Sequence, residues 1–238
     1  MTKLRVDIWS DIACPWCYVG KARFDKAVEG LEGKVDVEVR HRSFELDPHR
    51  DPSDVVPVVP MIAQKYGIST AQAQANEYKL GDLAKLEGLE YRTEGRDHGN
   101  TLDLHRLLHL ASERGLEAEV WRAFYAANFA EEASVYGRER LVEVAVGAGL
   151  DRAEVLAVLD DPEAYREAVR ADEAEAAALG ATGVPFFVID EKYGVSGAQP
   201  TALFTEVLEK AWGEKKPTLT TIDGTEGGEA CGPDGCPI

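Results

Sequence analysis

"KLRVDIWSDIACPWCYVGK", residues 3–21, places two of the chain's four cysteines directly after an alternating apolar run. Leu4, Val6 and Ile8 recur with period two, so the run reads as a strand. After the cysteines the period lengthens. Phe24, Ala27, Val28 and Leu31 form the stripe of a helix that starts at the cysteines and ends at about Gly30 or Gly33. "KVDVEVRHRSF", residues 34–44, then alternates through Val35, Val37 and Val39 as a second strand. Strand, helix and strand at this spacing make a βαβ unit, with C-P-W-C at its first strand-to-helix junction.

From Pro48 the pattern changes. A proline-punctuated connector leads into helical periodicity at about 57–66, 70–87, 101–114, 116–130, 137–148, 151–158 and 161–179. Strand signals return at "VPFFVID" and "VSG", and "PTALFTEVLEKAW" reads as a last amphipathic helix. The fold class is therefore α/β. A mixed sheet is built from both ends of the chain, as a discontinuous domain of residues 1–50 plus 180–213. An all-helical insertion of residues 51–179 interrupts it. Residues 214–238 are Gly/Thr-rich and read as a flexible tail.

The 238 residues suffice for a large core without disulfide support. A net charge of −17 argues against nucleic acid or an anionic membrane as partner. No stretch has the eighteen or so apolar residues of a membrane span. Asp7 interrupts the N-terminal apolar run too early for a secretory signal, so a cytoplasmic protein is expected. In that reducing setting cysteine pairs more often serve catalysis or metal binding than structure.

C-x-x-C alone is compatible with a staple, a zinc clasp and a redox dithiol. A disulfide closing two residues constrains little chain. A zinc site of Cys14, Cys17, Cys231 and Cys236 is conceivable but would join a helix start to a mobile tail. Position favours the redox dithiol. Pro15 suits the first helical position, which makes Cys14 the N-cap. Its thiolate could accept from the N–H groups of Trp16 and Cys17 at the positive end of the helix dipole. Cys14 is then the exposed attacking sulfur, and Cys17, one turn in, resolves the mixed disulfide.

"SDIACPWCYVGK", "GVPFFVID" and "VSGAQP" together resemble the DsbA-like branch of the thioredoxin-fold family. More narrowly they resemble its FrnE-type members, which carry a helical insertion; the resemblance spans residues 3–212. It implies a thioredoxin fold, Cys14 as nucleophile and Cys17 as resolving cysteine. It also implies a cis Pro185 facing them, and Val184 as the residue whose backbone pairs with an extended substrate, beside Trp16 as a substrate contact. The strongly oxidising members carry histidine where this chain has Trp16, so a reductase or isomerase-like poise is expected. Protein disulfides or thiols are the expected substrates. No cofactor is obligatory, and glutathione or another thiol reductant system is the expected recycling partner. Related glutathione transferases of the kappa type and 2-hydroxychromene-2-carboxylate isomerases resemble the chain around "NTLDLHRL". They typically carry serine at the Cys14 position and a G-x-D-R-type segment in place of "SGAQP". A glutathione-dependent isomerase or transferase is therefore the alternative activity, and a zinc-binding or chaperone-like module the non-catalytic one.

Lesser signals read as structural. His105 and His109 are four apart without an H-E-x-x-H pattern, so they are packing or surface residues rather than a metal pair. Trp121, Phe124, Tyr125 and Phe129 form a core stripe, part of which could line a substrate groove. "ADEAEAAALG" (171–180) reads as a solvated face, and Asp7 and Asp11 as caps or solvated side chains rather than proton relays for Cys17. Cys231 and Cys236 flank a Gly-Pro-Asp-Gly turn that would bring their Cα atoms to about 4.5–5.5 Å. A tether from Trp212 reaches about 25 Å, so this auxiliary dithiol is expected to exchange with Cys14–Cys17.

Overall fold

Strand β1 (Leu4–Ser10) lies inside a four-stranded sheet of order β2-β1-β5-β6 in the computed structural model, which describes residues 3–215. β2 (Val37–Ser43) pairs with it in parallel, Leu4 opposite Val37 through Ser10 opposite Ser43. β5 (Phe186–Ile189) pairs with its other side antiparallel, Trp9 opposite Phe186, and β6 (Tyr193–Ser196) closes the sheet. The chain thus crosses from β2 to β5 with more than a hundred residues in between.

Alternation along β1 sorts its side chains. Leu4, Val6 and Ile8 enter a core with Phe24 of α1 (Pro15–Gly30), Leu31 at its C-cap, and Phe204 and Leu208 of α9 (Thr201–Lys215). Phe187 joins them, its ring 4.6 Å from Phe204 and 5.4 Å from Phe24. Each buried Phe contributes about 1.5–3 kcal/mol by leaving water. On the opposite face Trp9 packs against Phe186 and Val188.

Between the two halves of the sheet run α2 (Val58–Tyr66), α3 (Thr70–Leu86), α4 (Leu102–Glu113), α5 (Glu117–Phe129), α6 (Arg138–Gly147), α7 (Arg152–Asp160) and α8 (Arg166–Ala178). These match the expected helices closely. The block is not wholly helical, however: β3 (Val56–Pro57) pairs antiparallel with β4 (Asp97–His98). Pro57 holds its predecessor extended, and Val58 N–H continues the contact to the Arg96 carbonyl. At the C-terminal end α9 runs to Lys215, past the expected boundary at 213. Glu214 accepts from the Tyr193 hydroxyl, and Lys215 pairs with Asp190, which extends the last turn. Cys231 and Cys236 lie outside the described residues.

The acidic run 171–180 is not a solvated face throughout. Asp172 is buried, its carboxylate accepting from Ser43 N–H at 2.9 Å and from Arg42 at 3.1 Å. Glu173 takes the N–H of Glu45 at 3.1 Å, and the Glu117 carboxylate faces that of His41. Two outward N–H groups of the β2 edge and one just after it are therefore covered by carboxylates from α5 and α8, which blocks the edge against other strands. Asp7 is likewise buried, between Arg5 at 2.7 Å and Arg42 at 3.0 Å.

Asp172→Ala strands an N–H and part of a guanidinium, and is expected to lower stability by about 2–3 kcal/mol at pH 7 in denaturant unfolding. His109, the Ser43 N–H and Arg42 overcome burial and hold the Asp172 carboxyl below its ordinary range. A depressed folded pKa stabilises above the unfolded value, so the penalty should shrink as the pH falls below about 3.9.

Candidate active site

Sheet pairing sets the dithiol. β1 ends at Ser10, and the loop of Asp11, Ile12 and Ala13 delivers Cys14 to the N-cap of α1 at φ −88° and ψ 112°, with Pro15 opening the helix. The loop is pinned on three sides. Asp11 Oδ1 accepts from Ala13 N–H at 3.2 Å, its Oδ2 accepts from Leu46 N–H at 2.7 Å, and Asn128 of α5 donates to the Ile12 carbonyl at 2.8 Å. β5 brings the Val184–Pro185 segment to the same end of the sheet, and that peptide bond is cis. Gly197 N–H donates to the Pro185 carbonyl at 2.8 Å, which leaves the Val184 carbonyl turned to the sulfur.

Two expectations need correction. Cys14 is not an exposed sulfur: it is only 4% accessible. Nor does its side chain accept a cap hydrogen bond. The Cys17 and Tyr18 N–H groups go to the Cys14 backbone carbonyl, at 3.1 and 3.3 Å. As a free thiol Cys14 Sγ lies 3.6 Å from the Val184 carbonyl oxygen and donates to it. A neutral thiol is a donor before it is an acceptor, so in the reduced, protonated state the proline loop attracts it more than the helix end.

Cys17 is wholly buried among the aromatic stripe of α5, Trp121, Phe124, Tyr125 and Phe129. Burial pushes its thiol well above the usual range; the adjacent Cys14 and the Asp11 charge add to this, and the Asp11 backbone N–H opposes it. Trp16, between the two, is 45% exposed, and Leu46 beside the Asp11 loop is also exposed. The site therefore combines one sulfur beside the Val184 carbonyl, one sulfur locked in the core, and apolar surface nearby at Trp16 and Leu46.

Tyr18 stacks on Phe129 at 5.0 Å, so the aromatic stripe is core, part of it directly behind the dithiol. His105 and His109 share one face of α4 as expected, but each faces a buried carboxylate. His105 Nε2 is 3.4 Å from Asp11, and His109 Nε2 is 3.3 Å from Asp172. Asp11 is neither solvated nor a simple cap. Burial opposes its charge, but His105 and the two N–H donors hold its carboxyl below the ordinary range. Among the described residues no three His, Cys, Asp or Glu side chains converge as metal ligands. A cavity of about 440 Å³ opens along β2 against α4 and α5, but neither cysteine lines it.

Sequence reasoning missed Gly20. A Cβ there would stand 2.9 Å from Pro185 Cγ and 3.2 Å from Ala198 Cα. A glycine inside a predicted helix was the available signal for such a close approach.

A reduced dithiol at a helix start, facing a proline loop across a mixed sheet, defines a thioredoxin-like protein. The chain belongs to the DsbA-like thioredoxin domain family, whose model matches residues 5–209. The solved "probable DsbA oxidoreductase" of Streptomyces coelicolor is 63% identical, with 99% of each chain covered and a TM-score of 0.87. The fold also matches the cytosolic disulfide reductase DsbM from Pseudomonas aeruginosa solved with glutathione, at 18% identity, 87% and 98% coverage and a TM-score of 0.60. A 2-hydroxychromene-2-carboxylate isomerase aligns at 19% identity, 88% and 95% coverage and a TM-score of 0.58. Among the described residues no helix is long and apolar enough to cross a membrane.

Gly20→Val would drive a branched side chain into Pro185 and shift the loop that faces Cys14. Reduction of a protein disulfide is expected to slow about 10- to 100-fold while far-UV circular dichroism stays unchanged. An unslowed variant would separate Pro185 from the chemistry.

Proposed function

We propose that this protein is a thiol–disulfide oxidoreductase of FrnE type that acts on protein substrates with the poise of a reductase or isomerase. The observation that carries the reading is the placement of Cys14 Sγ 3.6 Å from the Val184 carbonyl with Cys17 buried one turn behind. In this reading the Cys14 thiolate attacks a substrate disulfide and expels one substrate thiolate. Cys17 then attacks Cys14, closes the internal disulfide and expels the second. Glutathione or another thiol reductant reopens the pair, in a reducing cytoplasm and with no obligatory cofactor. Trp16 and Leu46 give an unfolded chain apolar surface, and the Val184 backbone gives it a polar edge. The likeness to the "probable DsbA oxidoreductase" at 63% identity supports the same chemistry.

The fold likeness to a 2-hydroxychromene-2-carboxylate isomerase keeps a glutathione-dependent isomerase as the second reading. Cys14, where such enzymes typically carry serine, argues for the dithiol. Replacing Cys14 with serine is expected to abolish insulin reduction; retention of that activity would end the oxidoreductase reading. Cys17→Ala is expected to accumulate mixed disulfides with substrate proteins. The potential against glutathione is expected between about −270 and −180 mV, and a value near −120 mV would reverse the assigned poise. The tail dithiol exchanges with the pair in this proposal, so Cys231→Ser with Cys236→Ser should slow turnover.

A further inference from the structure

The helix that carries the dithiol also carries a side chain that reaches toward the loop facing it. Arg23 lies one turn beyond Gly20 and two turns beyond Trp16, on the same face of α1. Its guanidinium bridges two acceptors from distant parts of the chain. Nη1 donates to the Ala198 carbonyl at 2.7 Å, and Nε donates to Glu87 Oε1 at 2.7 Å. Glu87 is the C-cap of α3, in the helical insertion, and its second oxygen accepts from Lys26 at 2.6 Å. The Arg23 and Glu87 side chains are 17% and 14% exposed, so solvent screens their contact little. A planar fork held by a carboxylate on one edge has few ways to turn, which aims its remaining N–H at the carbonyl.

Ala198 belongs to the turn between β6 and α9 that holds the proline segment. Gly197, at φ +80°, donates its N–H to the Pro185 carbonyl at 2.8 Å. Gln199 N–H returns to the Gly197 carbonyl at 2.9 Å, and the Gln199 side chain donates to the Ser196 carbonyl at 2.8 Å, so the turn closes on itself. The turn also rests on α1: a Cβ at Gly20 would stand 3.2 Å from Ala198 Cα and 2.9 Å from Pro185 Cγ. Contact at Gly20 limits how near turn and proline loop approach the helix, and the Arg23 bond limits how far they withdraw. Two adjacent residues, Gly197 and Ala198, thus connect the α1 guanidinium to the Pro185 carbonyl.

We propose that Arg23 is a positioning residue that sets the distance between the dithiol helix and the Val184–Pro185 loop. Through that distance it sets the preference for an extended polypeptide over a small disulfide. This role rests on the oxidoreductase reading and deepens it. Arg23 touches no sulfur and takes no part in the exchange of bonds. A small disulfide needs Cys14 Sγ alone. An extended chain must meet Cys14 and the Val184 backbone together, and these stand 3.6 Å apart with the loop held. A misplacement of about 1 Å therefore penalises the two-point contact far more than the one-point contact. Glu87 makes the helical insertion a party to this, because it orients the guanidinium from outside the sheet domain.

Two substrates with one leaving group test the role. One is an extended peptide whose central cysteine is in mixed disulfide with 2-nitro-5-thiobenzoate; the other is N-acetylcysteine in the same linkage. Reduced full-length protein carrying Cys231→Ser and Cys236→Ser is added in excess. The Cys14 thiolate attacks the cysteine sulfur, the mixed disulfide breaks, and 2-nitro-5-thiobenzoate leaves as the coloured thiolate. In Arg23→Met the peptide is expected to react about tenfold more slowly at low protein concentration, through a raised half-saturation with an unchanged limiting rate. The N-acetylcysteine rate and the thermal midpoint should not change. Equal slowing of both substrates, as a merely structural role would give, overturns the proposal, and so does no slowing. Arg23→Lys keeps the charge beside Glu87 but not the planar fork, so it should keep the thermal midpoint and still slow the peptide about threefold. If Arg23→Met unfolds, an unslowed peptide in Arg23→Lys overturns the proposal. Glu87→Ala should slow the peptide too, and Arg23→Met with Glu87→Ala no more than Arg23→Met; additive losses overturn the coupling to the insertion. Failure of the oxidoreductase reading would show instead as release from both substrates that survives Cys14→Ser.

Discussion

Antiparallel pairing of β1 with β5 is the constraint on which the site depends. It opposes Trp9 to Phe186 and so places the Val184–Pro185 loop across from the residues that follow β1. Cys14 and Val184 are 170 positions apart and meet only through this register. A slip of one residue would exchange the faces of every side chain in the strand, sending Phe187 out of the α1–α9 core. The core on one face and Trp9 on the other therefore fix the register, and the register fixes the distance from sulfur to carbonyl. Gly20 completes the fit by allowing α1 to approach Pro185.

The helices between β2 and β5 do more than occupy the crossing. Carboxylates of α5 and α8 face the outward N–H groups of His41 and Ser43 in β2 and of Glu45 just after it. Hydrogen bonds to a charged partner contribute about 1.5–3 kcal/mol each, so these hold α8 and α5 to the sheet as effectively as apolar packing does. Phe44 N–H goes to the Ser10 carbonyl, and Leu46 N–H goes to the Asp11 carboxylate instead of a backbone oxygen. The ladder between β1 and β2 thus ends on a side chain, and the same aspartate anchors the loop that carries Cys14. Strand edge, loop and dithiol share one acid.

Much of this was legible in the sequence. Period-two runs located β1 and β2, period 3.6 located all the long helices, and C-P-W-C was placed at the strand-to-helix junction where the structure has it. Charged residues were not legible. Asp172 sits in an Ala/Glu run whose pattern is that of a solvated face, and only Ser43, Arg42 and His109 make it a buried one. All three lie more than sixty residues away, and no local pattern encodes such a partner. The same holds for Asp11 with Leu46 and His105, and for the Cys14 thiol, whose choice of the Val184 carbonyl over the helix N–H groups depends on a loop 170 positions away.

Surroundings rather than residue type distinguish the two sulfurs. Both are free thiols and both are shielded, but Cys14 lies beside the polar Val184 carbonyl, while Cys17 lies among aromatic rings that offer no hydrogen bonds to a thiolate. The negative charge of the chain adds little to that difference, since surface charges are screened beyond about 8 Å. The local helix end and the local acids decide. An acid close to a buried thiol raises the energy of the thiolate, as Asp11 does for Cys17.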